Sequence, residues 1–124
     1  MRICYLADAE SIHVQRWADY FAQRGHEVHL ISFKHSNIHN TIPHFLRRLP
    51  FRLEVVSLLL NSLPVFFQIK RLLQKIKPDI IHAHYVWEYG IAGALTRFQP
   101  FVISAWGSDV LTLVLLLHSH FQRF

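Results

Sequence analysis

Ile3-Cys4-Tyr5-Leu6 and Val28-His29-Leu30-Ile31-Ser32-Phe33 are the two stretches that decide the fold. The first is a short apolar run, as a strand covered on both faces requires, and the second reads as the next strand. Between them Val14, Trp17, Ala18, Phe21 and Ala22 recur at helical spacing, so an intervening helix buries one stripe. Asp8 to Ser11 supplies helix-starting side chains, and Gly25 stands where a helix stops. Strand, helix and strand within about thirty residues make a βαβ unit, with a right-handed crossover expected.

Past Phe33 the pattern loosens. Lys34 to Pro50 is polar, histidine-rich and broken by Pro43 and Pro50, and reads as mostly loop. Phe51 to Leu60 suits a third strand or a short helix equally well. Pro64 fits the first turn of a helix whose apolar stripe is Val65, Ile69, Leu72, Leu73 and Ile76. Lys70, Arg71, Lys75 and Lys77 fall elsewhere around it, and Pro78 ends it. Asp79 to Ala83 reads as a strand, Gly90 to Arg97 as a helix and Phe101 to Ala105 as a buried strand. The alternation predicts an α/β fold, a Rossmann-like doubly wound parallel sheet with helices on both faces. Ligands of such sheets bind outside the carboxyl ends of the strands. The segments of interest are therefore Asp8 to His13, Ser32 to His35, His82 to Glu88 and Ala105 to Asp109.

The 124 residues are enough for one domain, and at 52% hydrophobic they can bury a core. A formal charge of +5 with ten histidines suits anionic partners without choosing among phosphorylated substrates, acidic membranes and nucleic acid. Cys4 is the only cysteine, which excludes an internal disulfide and a cysteine-based zinc site. Its apolar neighbours imply a buried, inert thiol. Met1 to Ala7 is too short for a signal-peptide core, and Asp8 and Glu10 follow at once. Val55 to Phe67 is broken by Asn61 and Pro64 and falls short of the ~20 apolar residues a bilayer needs. A soluble chain of a reducing, cytoplasmic compartment is expected.

The turn Leu6-Ala7-Asp8-Ala9-Glu10-Ser11 lacks glycine, so it is no dinucleotide fingerprint, and no P-loop occurs anywhere. The helix start at Ser11 to His13 offers backbone N–H groups to an anion. Asp8 and Glu10 oppose a phosphate there unless they bind hydroxyls. Capping by Asp8 or Ser11 is the structural alternative, and both roles can coexist. His82 and His84 share one strand face, but no third metal ligand stands at a recognisable spacing. Otherwise His82 is a satisfied, half-buried histidine and His84 sits at the strand end, within reach of a substrate. Tyr85, Trp87 and Tyr89 around Glu88 suit sugar stacking and core filling equally.

Gly107-Ser108-Asp109 reads as a strand-to-helix turn where a ligand can approach the backbone. Capping alone accounts for Ser108 or Asp109 but not for the adjoining Trp106-Gly107 pair. The basic helix from Lys70 to Lys77 is a solvated face, with peripheral contact to anionic lipid left open. No nucleic-acid module is present.

Met1-Arg2-Ile3, Ser11-Ile12-His13 with Gln15-Arg16-Trp17, and Arg24-Gly25-His26-Glu27-Val28-His29 resemble the opening of glycosyltransferase family 4 proteins. Lys77-Pro78-Asp79-Ile80-Ile81-His82-Ala83-His84-Tyr85 and Pro100-Phe101-Val102-Ile103-Ser104-Ala105-Trp106-Gly107-Ser108-Asp109 extend the resemblance in the same order, over about residues 1 to 111. The resemblance implies one half of a GT-B fold, in which two Rossmann-like domains face each other across a cleft. It implies a retaining transfer from a nucleotide-sugar donor to a glycan or lipid-linked acceptor, without a bound metal or other cofactor. The amino-terminal domain of such enzymes holds mainly the acceptor. Carried onto this chain, Asp8, Ser11 and His13 face the donor phosphates and acceptor. His84 and Glu88 line the acceptor side, and Trp106, Gly107, Ser108 and Asp109 form the cleft floor.

Two departures stand out. Trp106 replaces a histidine that many relatives carry before the glycine. After Leu111 the run from Thr112 to Phe124 does not resemble the family's continuation. The expectation is therefore a family-like domain over residues 1–111 with an atypical tail at 112–124, from a truncated, frameshifted or split gene. No catalytic residue is assigned, and the chain alone is expected not to turn over. A non-catalytic remnant or partner-docking domain, and a free-standing nucleotide- or phosphate-binding module, are the competing expectations.

Overall fold

The chain runs β1 (Arg2–Leu6), α1 (Ile12–Gln23), β2 (Glu27–Ser32), β3 (Ile42–Phe45), α2 (Glu54–Ile76), β4 (Ile80–His84), α3 (Ile91–Leu95) and β5 (Phe101–Ser104). This computed structural model describes residues 1–35, 37–48 and 54–111, and for 54–62 the backbone alone. Among the described residues the five strands are all parallel, in the order β3-β2-β1-β4-β5.

β1 lies in the middle because both of its faces are apolar. Ile3 and Tyr5 pack with Val28, Leu30, Val14 and Ala18 under α1. Cys4 and Leu6 pack with Ile31, Ile81 and Ala83 under Val65, Ile69, Leu73 and Ile76 of α2 and Ala92 of α3. Helices therefore cover both faces, and the fold is the Rossmann-like α/β sheet that the alternation predicts. Cys4 is wholly buried, which pushes its thiol up to about 12 and leaves it unreactive.

The middle of the chain differs from the sequence reading in two places. Within the expected loop, Ile42–Phe45 forms β3. Its Pro43 has no N–H for a ladder, which an edge strand tolerates. Pro64 is not in a first turn, because α2 begins ten residues earlier at Glu54. An interior proline costs about 3 kcal/mol. Each buried aliphatic side chain of the downstream stripe returns about 1.5–3 kcal/mol, so the stripe outweighs the lost bond. The ambiguous segment is helical from Glu54 onward, while residues 51–53 lie outside the described residues, as does the 112–124 tail. Among the described residues no helix is long and apolar enough to cross a membrane.

Register then places the chemistry. His82 pairs with Tyr5 on one side and Val102 on the other, and His84 pairs with Ser104. Alternation along β4 sends Ile81 and Ala83 under α2 and both histidines to the α1 face.

Candidate functional site

The sheet order reverses between β1 and β4, so the crevice at their carboxyl ends is the expected ligand position. His84, the last residue of β4, lies there and is only 2% exposed. Rings surround it: Tyr5 at 5.5 Å, Trp17 at 6.0 Å, His82 at 4.4 Å and Trp106 at 5.5 Å between centroids. Both ring nitrogens of His84 are buried without a hydrogen-bond partner. Burial, with His82 and His13 nearby, pushes its imidazole down to about 4. At neutral pH it is uncharged, with one N–H to give and one lone pair to accept. His82 differs. One of its ring nitrogens shares a hydrogen bond with the Ser104 hydroxyl at 2.8 Å, and burial lowers its imidazole too.

His13, on the exposed side of the first turn of α1, stacks on Trp106 with ring centres 4.5 Å apart and planes 20° from parallel. Residues from α1 and from the loop after β5 thus meet beside His84. Ser11 precedes α1 with extended backbone, and its side chain makes no capping bond. Asp8 accepts a bond from the Glu10 backbone N–H at 2.8 Å, which shapes the loop rather than the helix.

Asp109 belongs to the scaffold. One carboxylate oxygen accepts from the Val86 N–H at 2.8 Å, and the other from the N–H groups of Trp106 at 3.0 Å and Val110 at 3.1 Å. Desolvation pushes its carboxyl up, but these amides outweigh it and hold the group below its ordinary value. The Asp109 carbonyl accepts from the Trp87 indole N–H at 2.9 Å. Asp109 therefore ties the loop after β5 to the turn after β4. Gly107 has φ +78°, a left-handed conformation that glycine adopts without strain. Ser108 opens the helical turn at 108–111, its N–H bonded to the Trp106 carbonyl at 2.9 Å.

The turn after β4 is a wide π turn, Val86–Gly90. Tyr85 enters it at φ +86°, a strained conformation for an aromatic residue, next to His84. Glu88 lies exposed on this turn and pairs with Arg48, so it does not join the rings around His84. The three aromatics of this turn divide. Tyr89 is core, its hydroxyl accepting from the Phe33 N–H at 3.2 Å, whereas Tyr85 and Trp87 stay partly exposed. Among the described residues no three His, Cys, Asp or Glu side chains cluster as a metal site would require.

The sequence reading singled out His84, His13 and Trp106, and the structure brings these together. It missed Trp17 and Tyr5 as walls of the cage and Ser104 as the partner of His82. The alternation of Ile80-Ile81-His82-Ala83-His84 carries the signal for a shared histidine face, but which residues oppose that face depends on strand order.

The profile of the glycosyl transferase 4-like family matches residues 2–123. No curated protein sequence matches the chain. Among solved structures, MurG from Acinetobacter baumannii is similar at TM-score 0.63 and 16% identity, over 84% of this chain and 34% of that one. A glycosyltransferase from Rickettsia africae is similar at TM-score 0.53 and 17% identity, over 84% and 28%. The carboxyl-terminal domain of PF1911 hydrogenase from Pyrococcus furiosus reaches TM-score 0.55 at 11% identity, over 84% and 89%. Shape at these identities gives the fold alone, since a hydrogenase domain shares it. The chain spans about a third of the length of MurG. With the family profile covering all but its terminal residues, the chain belongs to the glycosyl transferase 4-like family.

Proposed function

We propose that this chain is the acceptor-side domain of a retaining glycosyltransferase. The full reaction moves a sugar from a nucleotide-sugar donor to a cell-envelope polysaccharide or glycolipid acceptor. The observation that carries the reading is His84, buried in a ring of aromatics at the sheet crossover with neither nitrogen bonded. A buried polar group left unpartnered costs about 1–3 kcal/mol. Such a cost is retained where the group has a partner in function.

A neutral imidazole suits an acceptor hydroxyl, which it can hold as donor or as acceptor. The stacked His13–Trp106 pair gives that hydroxyl's sugar ring an apolar wall. Asp8 and Ser11 stand on the loop at the same end of the sheet and meet hydroxyls or the donor phosphates. Catalysis by such a domain is positioning: it fixes the acceptor oxygen, and the donor-holding half stabilises the leaving diphosphate. Work at a cell envelope places the domain in the cytoplasm, at the inner membrane face.

The test is a microarray of cell-envelope glycans and glycolipids probed with the chain and with His84→Leu. Retention of some glycans by the wild type, lost in a folded His84→Leu, supports the reading. Equal retention by both, or none by the wild type, overturns it. Measurable transfer from UDP-glucose, UDP-N-acetylglucosamine or GDP-mannose by the chain alone overturns the assignment of the donor to a separate half.

A second reading rests on β5. Among the described residues it pairs only with β4, and Val102 and Ile103 stay more than 40% exposed on opposite faces. An open apolar edge of this kind fits docking onto a separately encoded half, without catalysis by this chain.

A further inference from the structure

A groove of about 450 Å³ runs along the opposite flank of α1 from the His13–Trp106 stack, between that helix and the loop leading to β3. Its volume falls in the range that ligands occupy, about 300–1,000 Å³. Ile12 and Ile38 give it an apolar lining, and Gln15, Arg16, Asp19, Asn37 and His39 give it polar groups. Among the described residues, neither the Arg16 guanidinium nor the Asn37 amide makes a hydrogen bond or ion pair with another side chain. One Asp19 oxygen accepts from the Gln23 amide at 2.6 Å, and the other is open.

This mixture selects a chemical class. A simple anion would be drawn to Arg16 and repelled by Asp19, and a cation the reverse. A hydroxyl donates to a carboxylate and accepts from a guanidinium or amide, so a neutral polyhydroxyl ligand satisfies all three. The C–H faces of a sugar ring meet Ile12 and Ile38. The groove also reaches the loop of the proposed acceptor cleft. Asn37 lines a second, smaller pocket of about 70 Å³ with Ala9, Ser32 and Phe45, and Ala9 lies between Asp8 and Ser11. The Gln15 amide, on the groove side of α1, donates to the Ala9 carbonyl at 3.2 Å and fixes the junction.

We infer that this groove is an extended subsite for the second and later sugar units of a glycan acceptor, read by Arg16, Asp19 and Asn37. The inference rests on the acceptor-side reading and adds that the acceptor is an oligosaccharide rather than a single sugar.

The experiment uses the intact chain and a graded array carrying mono-, di-, tri- and hexasaccharides of each cell-envelope glycan. Wild type is expected to hold trisaccharides and longer at least tenfold more tightly than the matching monosaccharide. Arg16→Ala and Asp19→Ala are expected to remove that preference and leave monosaccharide binding and thermal unfolding near wild type. His84→Leu is expected to weaken every length. If length gives no preference, or if both groove variants keep it, the subsite is refuted while the acceptor reading stands. If the wild type holds no glycan of any length, both fall together.

Discussion

Acidification tests the environment of His84. Its imidazole stays neutral in the folded chain down to about pH 4, against an ordinary value of 6.5. The depressed value means that the unfolded chain takes up the proton first as pH falls. Stability from this group is therefore complete above about pH 6.5, declines through the window from 6.5 to 4, and changes no further below it. At about 1.36 kcal/mol per pH unit, the loss across that window is about 3 kcal/mol. This is a large part of the ~5–15 kcal/mol that holds a domain together.

His84→Leu removes the titrating group and puts an apolar side chain where the ring nitrogens have no partner. At pH 7 the variant is expected to be as stable as the wild type or more so, by about 1–3 kcal/mol. Below pH 6 the gap widens, because only the wild type carries this proton-linked loss. Urea unfolding followed by circular dichroism at half-unit steps from pH 4 to pH 8 gives both curves. His82 and His44 are also held low by burial, so the variant retains part of the slope. Parallel curves for the two proteins, or a His84 ring that titrates near 6.5 by NMR, would refute the reasoning.

Two further substitutions probe the frame around the site. Asp109→Ala leaves the Val86 and Trp106 N–H groups without their acceptor, at about 1–3 kcal/mol each, so urea unfolding should show a loss of about 2–6 kcal/mol. Hydrogen exchange at Val86 should speed up with it, and an unchanged Val86 amide would show that Asp109 is not the tie. Gly93→Ala sets a methyl 2.7 Å from the Phe101 ring and 3.0 Å from Leu6, and overpacking of this kind costs about 1–3 kcal/mol. A thermal midpoint equal to wild type would mean that edge strand β5 yields freely.

Much of the fold was legible because burial on both faces leaves a local mark. Ile3 to Leu6 is apolar without interruption, and Val28 to Ser32 and Ile80 to Ala83 are mostly so, as strands covered on both faces require. Of the two edge strands β3 lacks this mark, whereas β5 carries it in Phe101-Val102-Ile103 although Val102 and Ile103 are exposed rather than buried as its composition suggests. β3 carries Pro43 and two exposed residues at its start, so its pairing with β2 left no signal in composition. Pro64 misled for a related reason. A proline marks a helix start when nothing opposes it, and here the buried stripe after it keeps the helix continuous.

The sequence by itself determined the βαβ pattern, the buried thiol of Cys4 and the shared face of His82 and His84. These follow from residue type and from periods of two and 3.6. Tertiary structure alone decided that His82 would find Ser104 and His84 nothing, that Asp109 would turn inward onto three backbone amides, and that His13 would lie on Trp106. The His82–Ser104, Asp109–Val86 and His13–Trp106 contacts join residues more than twenty positions apart, whereas Asp109 reaches Trp106 and Val110 within its own turn. The order β3-β2-β1-β4-β5 is a property of packing that no local spacing encodes.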